Sequence, residues 1–340
     1  MYTNRNINYK LFLGRSLTPI LALAGYALVV VVLYEYIGFI YFKLPWSILS
    51  VVGTAVAFYV GFKNNSAYAR TWEARKIWGA IVNSSRTWGI MARDYTTNIF
   101  VSDQNPLSKE ELQAIHKRLI YRHIAWVYRL RRQLWKSQPW EHNHPMTTDI
   151  RKKLGDNFAS LSEEEELRKF LPDHEVDALL KKKNICTQII SNQSKDILKL
   201  RELGLVDDFR HVEFQKLLQD FYVQQGKCER IKNFPLPRQY ANTSMVLTVL
   251  FVTLLPFGMV AQFSALGNGA VWMTVPFTAL IGSIYILMEL VGDFAENPFE
   301  GLAFDTPMTS LCNTIEIDMK EMIDDPKIPE KLKPKDNVLL

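Results

Sequence analysis

The chain lacks the short motifs that mark the common enzyme classes. It has no GxGxxG turn, no P-loop, no HExxH helix and no serine elbow. Cysteine is scarce, with only Cys186, Cys228 and Cys312. Their number is odd and their spacing is not that of metal ligands, so they are expected to be reduced, structural thiols. His142 and His144 lie close together in WEHNHP, but no cysteine or carboxylate cluster completes a ligand set, so a solvated loop is expected there. A net charge of +5 on 340 residues gives no argument for nucleic acid. There is no internal repeat and no low-complexity tract, and nothing points to a bound cofactor or an enzyme.

Charge is missing where it matters most. Pro19 to Phe42 carries one charge, Glu35, and residues 44–62 carry none. From Gln239 to Met288, 50 residues pass without a formal charge. A membrane-crossing helix needs about 20 apolar residues. The sequence therefore predicts four spans in two hairpins: 19–42 with 44–62, and 245–263 with 271–288, the second pair joined by SALGNG. The basic N-terminal stretch MYTNRNINYKLFLGR resembles a signal peptide only superficially, because its apolar run is too long and no small-residue cleavage site follows. Glu35 is expected to be the only charge within a span.

Cationic residues flank these spans unevenly. Arg5, Lys10 and Arg15 precede the first, and Lys63, Arg70, Arg75, Lys76 and Arg86 follow the second. The opposite turns hold only Lys43. The positive-inside rule then places both termini and the middle of the chain in the cytoplasm of a cell bounded by this inner (plasma) membrane. Four regions are expected: 1–63 with the first two spans, a cytoplasmic helical region 64–238, 239–292 with the last two spans, and a cytoplasmic segment 293–340. The fold class is all-α.

In the middle region, 64–99 reads as one helix running without a break from the second span to the turn at 102–106. Ser108 with Glu111, and Ser162 with Glu165, form capping boxes for the next two helices. The acidic run Glu163 to Glu166 suits a first helical turn. Residues 173–203 read as one helix stopped by Gly204, and 206–225 as another stopped by Gly226.

Thr54, Phe58 and Phe62 recur every four residues and share one face of the second span. Gly53, Ala55, Ala57 and Gly61 lie between them and permit close helix neighbours. Two phenylalanines on one face can pack against a helix of the same subunit. When several copies surround an axis, they can instead form an apolar collar that gates by dewetting. Asn64, Asn65, Ser66 and Tyr68 follow as a wetter stretch. Arg70, Trp72, Arg75 and Trp78 suit interfacial anchoring, and Glu73 suits pairing with Arg70 or Lys76.

The stretch GFKNNSAYARTWEARKIWG, residues 61–79, closely resembles the bacterial branch of the bestrophin family, with its GFRN-type start and AYxRWWEARxxWG-like core. Thr71 replaces the family's first tryptophan. CERIKNFPLPRQYA (228–241) and ENPFEGLAFDTPMTSLCNTIE (296–316) resemble the family's entry to the third span and exit from the fourth. The likeness covers roughly residues 8–325. It implies a homopentameric channel in the lipid bilayer, four spans per subunit, one axial pore and small monovalent ions as cargo. The implied neck is Thr54, Phe58 and Phe62. The implied cytoplasmic aperture is Leu236, between Pro235 and Pro237, and Asn64, Asn65, Arg70 and Trp72 are implied at the pore entry or as its support.

In the third motif, Leu302 and Phe304 stand where relatives carry calcium-binding Asp and Asn, and Glu300 replaces Gly. Asp293, Glu296 and Asp305 remain as a degenerate clasp, so calcium-independent opening is expected. Partially positive ring edges at Phe58 and Phe62, with Lys63 and Arg70 if these face the pore, lean towards chloride or another small anion. Aromatic faces also attract cations, so a sodium or potassium channel of the same architecture is the alternative. A secondary transporter would need broken helices or a buried ionisable group at mid-membrane. A membrane-anchored scaffold or receptor would need no open axis.

Overall fold

The computed structural model describes residues 1–4, 9–38, 43–101, 106–142, 161–267 and 269–340, with backbone alone for 9–16. Residues 39–42 of the first apolar run, the turn at 102–105, Arg5, His144 and Asn268 lie outside the described residues, as do the side chains of Lys10 and Arg15. Ten α-helices account for most of the described chain, which has two isolated β-bridges and no strand. Two compact units divide it.

The span unit comprises Asn4–Thr71 and Pro235–Glu296. It holds α1 (Tyr9–Ile37), the start of α2 (Trp46–Asp94), α8 (Arg238–Ser264) and α9 (Thr274–Ala295). Each of the four is long and apolar enough to cross a membrane. α1 packs chiefly along α9, and α9 along α8. Leu49, Val56 and Val60 of α2 bury against Phe251, Val252 and Leu255 of α8. Glycine sets these approaches: a Cβ at Gly53 would lie 2.7 Å from the Phe251 ring, one at Gly258 2.4 Å from Leu49, and one at Gly282 2.8 Å from Leu23. Pro19 and Pro256 lie inside α1 and α8.

α2 runs 49 residues without interruption, as the absence of proline from 46 to 105 predicts. Pro45 precedes it, and its carbonyl accepts from the amides of Ile48 and Leu49.

The second unit, the helical body, comprises Met1–Thr3, Trp72–Phe234 and Asn297–Leu340. Besides the rest of α2 it contains α3 (Lys109–Trp135), α4 (Glu163–Arg168), α5 (Asp173–Leu180), α6 (Ile185–Glu202), α7 (Asp208–Asn233) and α10 (Met308–Glu321). Both capping boxes form, Ser108 with Glu111 and Ser162 with Glu165. The acidic run occupies the first turn of α4. All three cysteines are free and buried.

Several helix boundaries differ from expectation: α1 ends at Ile37 and α2 at Asp94, short of 42 and 99. Residues 173–203 form two helices, because the chain turns at 181–184 and Asn184 caps a new start by accepting from the Thr187 amide. α7 runs through Gly226 to Asn233. Glycine costs about 1 kcal/mol in a helix interior, and the buried contacts of Cys228 and Ile231 beyond it outweigh that. Gly204 does end α6 as predicted, with φ +73° and its backbone close to the Phe100 carbonyl.

Candidate pore lining on the second helix

Successive residues of a helix turn by about 100°, which puts Thr54, Phe58, Phe62 and Asn65 within ~80° of arc and Lys63, Ala67 and Arg70 on the far side. The structure separates the two faces in the same way. Thr54 and Asn65 are exposed, with Phe58 at 65% and Phe62 at 61%. Thr54 satisfies its hydroxyl within the helix by donating to the Ser50 carbonyl at 2.8 Å. Gly61 faces open space, with no atom within 4 Å of where its Cβ would lie.

The opposite face is pinned. Lys63 is only 2% exposed, and its ammonium donates to Glu289 of α9. The second Glu289 oxygen accepts from Ser244 of α8 at 2.6 Å. One buried ion pair with a hydroxyl therefore ties three helices together. Asn64 Nδ2 donates to the Met288 carbonyl at 2.9 Å, and a Cβ on Gly292 would meet the Asn64 amide oxygen at 2.0 Å. About two turns further on, Arg70 Nε donates to the Glu296 carbonyl at 2.8 Å and Thr71 Oγ1 to the Ala295 carbonyl at 2.7 Å. Where the related motif has an aromatic ring, this chain substitutes a hydroxyl that closes the end of α9.

These contacts correct three expectations. Lys63 and Arg70 do not lie on the Phe58–Phe62 face, so neither raises the potential there. Glu35 is not the only charge in a span, because α9 continues past Met288 and carries Glu289 to its buried partner. Glu73 pairs with Arg230 of α7 at 2.5 Å rather than along its own helix. Sequence reasoning missed Glu289 and Ser244. The available signal was that Glu289 is the first charge after 50 uncharged residues, and a lone charge in such a place needs a partner.

The remaining implied positions are dispersed. Trp72 is exposed and belongs to the helical body. Pro235 is half-buried, and Pro237 caps α8, its carbonyl accepting from the amides of Tyr240 and Ala241 at 2.9 and 3.1 Å. Leu236 between them is only 5% exposed, unlike the two neck phenylalanines.

In the degenerate clasp, Glu296 is buried and pairs with Arg238 at 3.1 Å, and Asp293 is half-buried. Both belong to the span unit, and Asp305 belongs to the body. Asp305 is buried and accepts from the Leu302 amide at 3.0 Å. Burial, aided by the nearby Glu300 carboxylate, pushes its carboxyl up to about 7. Among the described residues no three His, Cys, Asp or Glu side chains converge to hold a metal ion. His142 is not solvated: its ring nitrogen lies 3.0 Å from the buried Glu300 carboxylate, which also accepts from the His142 amide.

A family model described as Bacterial/Fungal Bestrophin protein matches residues 12–321. The chain is 27% identical over 301 residues to the voltage-dependent anion channel-forming protein YneE of Escherichia coli (strain K12), covering 88% of this chain and 83% of the relative. It is 27% identical over 327 residues to a voltage-dependent anion channel-forming protein of Mesorhizobium japonicum, covering 94% and 88%. Among solved structures, a variant of a bacterial bestrophin homologue from Klebsiella pneumoniae superposes with TM-score 0.72 at 25% identity, covering 91% of this chain and 98% of that one. Another crystal structure of a bacterial bestrophin homologue from Klebsiella pneumoniae gives TM-score 0.73 at 24% identity with the same coverage.

Proposed function

This chain belongs to the bacterial and fungal bestrophin family, and from that premise we propose that copies of it assemble into a passive channel that conducts chloride or other small monovalent anions across the inner membrane. The observation that carries this reading is the two-faced second helix. One side is locked by Lys63, Asn64, Arg70 and Thr71, while the other presents two phenylalanine rings one turn apart, flanked by Thr54 and Asn65. The exposed face of α1 differs. It shows aliphatic side chains such as Leu21, Leu28, Val29 and Val32, as a lipid-facing surface should. A ring of five such second helices would surround one axial pore with Thr54, Phe58 and Phe62 as its neck. Leu236 is the proposed cytoplasmic aperture, braced by Pro235 and Pro237. Its burial in the protomer makes its expected effect the smaller of the two. Both termini face the cytoplasm, as the basic flanks suggest.

Selectivity for anions rests on the ring edges of Phe58 and Phe62 and on the anion channel-forming names of the relatives. A second reading is a monovalent cation channel of the same architecture. It gains from the neutralisation of Lys63 by Glu289, which removes a fixed positive charge from the account of the neck.

The deciding measurement is the reversal potential of purified protein in planar bilayers under a KCl gradient, first for the wild type and then for Phe58→Ala and Phe62→Ala. The expected result is a potential near that of chloride, with larger single-channel conductance in both variants. A potential near that of potassium would select the second reading. Unchanged conductance in both variants, with assembly intact, would remove the neck assignment.

A further inference from the structure

Lys63 follows Phe62 directly, so a charge sits on the next residue of the neck helix. Along α2 that charge stands alone: no other Asp, Glu, Lys or Arg lies between Trp46 and Ala69. One step along a helix is a turn of about 100°, which carries Lys63 off the exposed face and into the protein. Glu289 of α9 meets it there, within the span unit. One Glu289 oxygen accepts from the Lys63 ammonium, the other from the Ser244 hydroxyl at 2.6 Å. All three side chains are buried. One turn further along α9, a Cβ on Gly292 would lie 2.0 Å from the Asn64 amide oxygen, so α9 is packed closely on α2 beside the pair. The two charges therefore lie in a packed wall behind the Phe58–Phe62 face.

A charge held in such a wall acts on a passing ion more strongly than one in water. Its field crosses protein of low dielectric, and salt screens a buried charge only weakly. Across the width of the helix the separation is roughly 15 Å. At an effective dielectric of about 20, one unit charge at that distance changes the occupancy of a monovalent ion about sixfold. Lys63 without its partner would favour anions at the neck. Glu289 without its partner would favour cations. Paired, the two cancel, and the choice of ion passes to the neutral rings.

We propose that Glu289 is a specificity-determining residue of the channel and that it acts through Lys63. It cancels the one charge that α2 carries behind the neck and so limits how strongly the neck prefers one sign of ion. Ser244 is a positioning residue, because its hydroxyl fixes the second carboxylate oxygen and aims the first at Lys63. The inference rests on the reading of Thr54, Phe58 and Phe62 as the neck. It adds to that neck a residue 226 positions away from its partner, on a helix that does not carry the lining.

The test is the reversal potential of the purified full chain in planar bilayers under a KCl gradient, read as the ratio of chloride to potassium permeability. Glu289→Gln should raise that ratio about fivefold, because Lys63 keeps its charge. Lys63→Met should lower it about fivefold, because Glu289 keeps its own. The double variant, with neither charge, should return to the wild-type ratio. Damaged packing alone predicts neither opposite signs nor that return. Where a single variant does not assemble by itself, co-expression with the wild-type chain dilutes the stranded charge among intact copies, and the same signs should appear at smaller size. A ratio moved the same way by both single variants, or by neither, overturns the proposal. Phe58→Ala and Phe62→Ala separate the two ways of failing. If either changes single-channel conductance while the charge variants leave the ratio alone, the neck stands and this inference falls. If neither changes it, the neck reading falls and takes this inference with it.

Discussion

The span unit and the helical body bury charge in different ways. In the body, polar networks are plural: Arg122 is held by Glu175 and Asp196, Arg131 by Glu166, and Lys232 by Glu141. They surround a large core that includes Trp78, Trp88 and Trp126. Among its described residues the span unit buries fewer charges, Glu289 with Lys63 and Ser244 and, at its edge, Glu296 with Arg238, and otherwise packs glycine against aliphatic and aromatic side chains. The contrast teaches where each unit obtains specificity. In water, apolar burial drives assembly, and charge pairs refine which helix face meets which. In lipid, both faces of a helix are apolar, so close packing and a few expensive ion pairs must choose the rotation.

The comparison is broken most severely at Glu289. Glu289→Gln leaves the Lys63 ammonium buried without its carboxylate, a loss expected at ~3–5 kcal/mol. Thermal unfolding in detergent should show a large fall in Tm. The double variant Lys63→Leu with Glu289→Leu should recover most of it, because neither charge is then stranded. A single variant as stable as the wild type would mean that the pair does not set the rotation of α2.

Next come the glycines. Gly258→Ala pushes a methyl group into Leu49, and overpacking of this kind costs about 1–3 kcal/mol. Gly61→Ala meets nothing in the protomer and should leave folding undisturbed. If the two variants destabilise equally in a melting series, the assignment of one face as pinned and the other as open fails.

The body offers a pH test with two opposed signs. Burial lowers the His123 imidazole to about 3, from 6.5. Between those values the unfolded chain takes up a proton that the folded state refuses, so stability falls as pH drops from about 6.5 towards 3. Asp305 runs the other way. Its carboxyl rises from 3.8 to about 7 through burial, so the folded state keeps a proton that the unfolded chain releases, and stability falls as pH rises from about 4 to 7. From about pH 4 to 6.5 the two slopes oppose each other, so Asp305→Asn should expose the fall in stability towards acid pH and His123→Gln the fall towards neutral pH. Urea midpoints between pH 4 and 8 would read both, and slopes unaltered by either substitution would refute the assignment.

The smallest effect is expected at a surface cap. Ser108→Ala removes the acceptor for the Glu111 amide and should cost ~1 kcal/mol, read by denaturant unfolding of the full chain.

Much of this architecture was legible in the residues. Long apolar runs with almost no charge announced the four span helices, because hydrocarbon tolerates few other sequences of that length. Ser108 with Glu111 and Ser162 with Glu165 announced two helix starts, because capping is a local bond between a side chain and a backbone amide three residues on. Gly204 announced a stop. Gly226 did not act as one, because its helix is held by buried residues on either side of it. The break at 181–184 was hidden because a run of lysines carries no stop signal of its own. In the candidate lining, the spacing of Thr54, Phe58 and Phe62 gave one face of a helix but not its environment.

The chain alone determined that four apolar helices cross a membrane and that the second continues unbroken into a charged stretch. Both follow from composition and from the absence of proline, which act along the chain. Only the tertiary structure decided which way the second helix is turned. That depends on Glu289 lying 226 residues beyond Lys63 and on Gly258 admitting Leu49. No local rule links such distant positions, and on a helix that is apolar all round the hydrophobic pattern does not mark the side that faces inward.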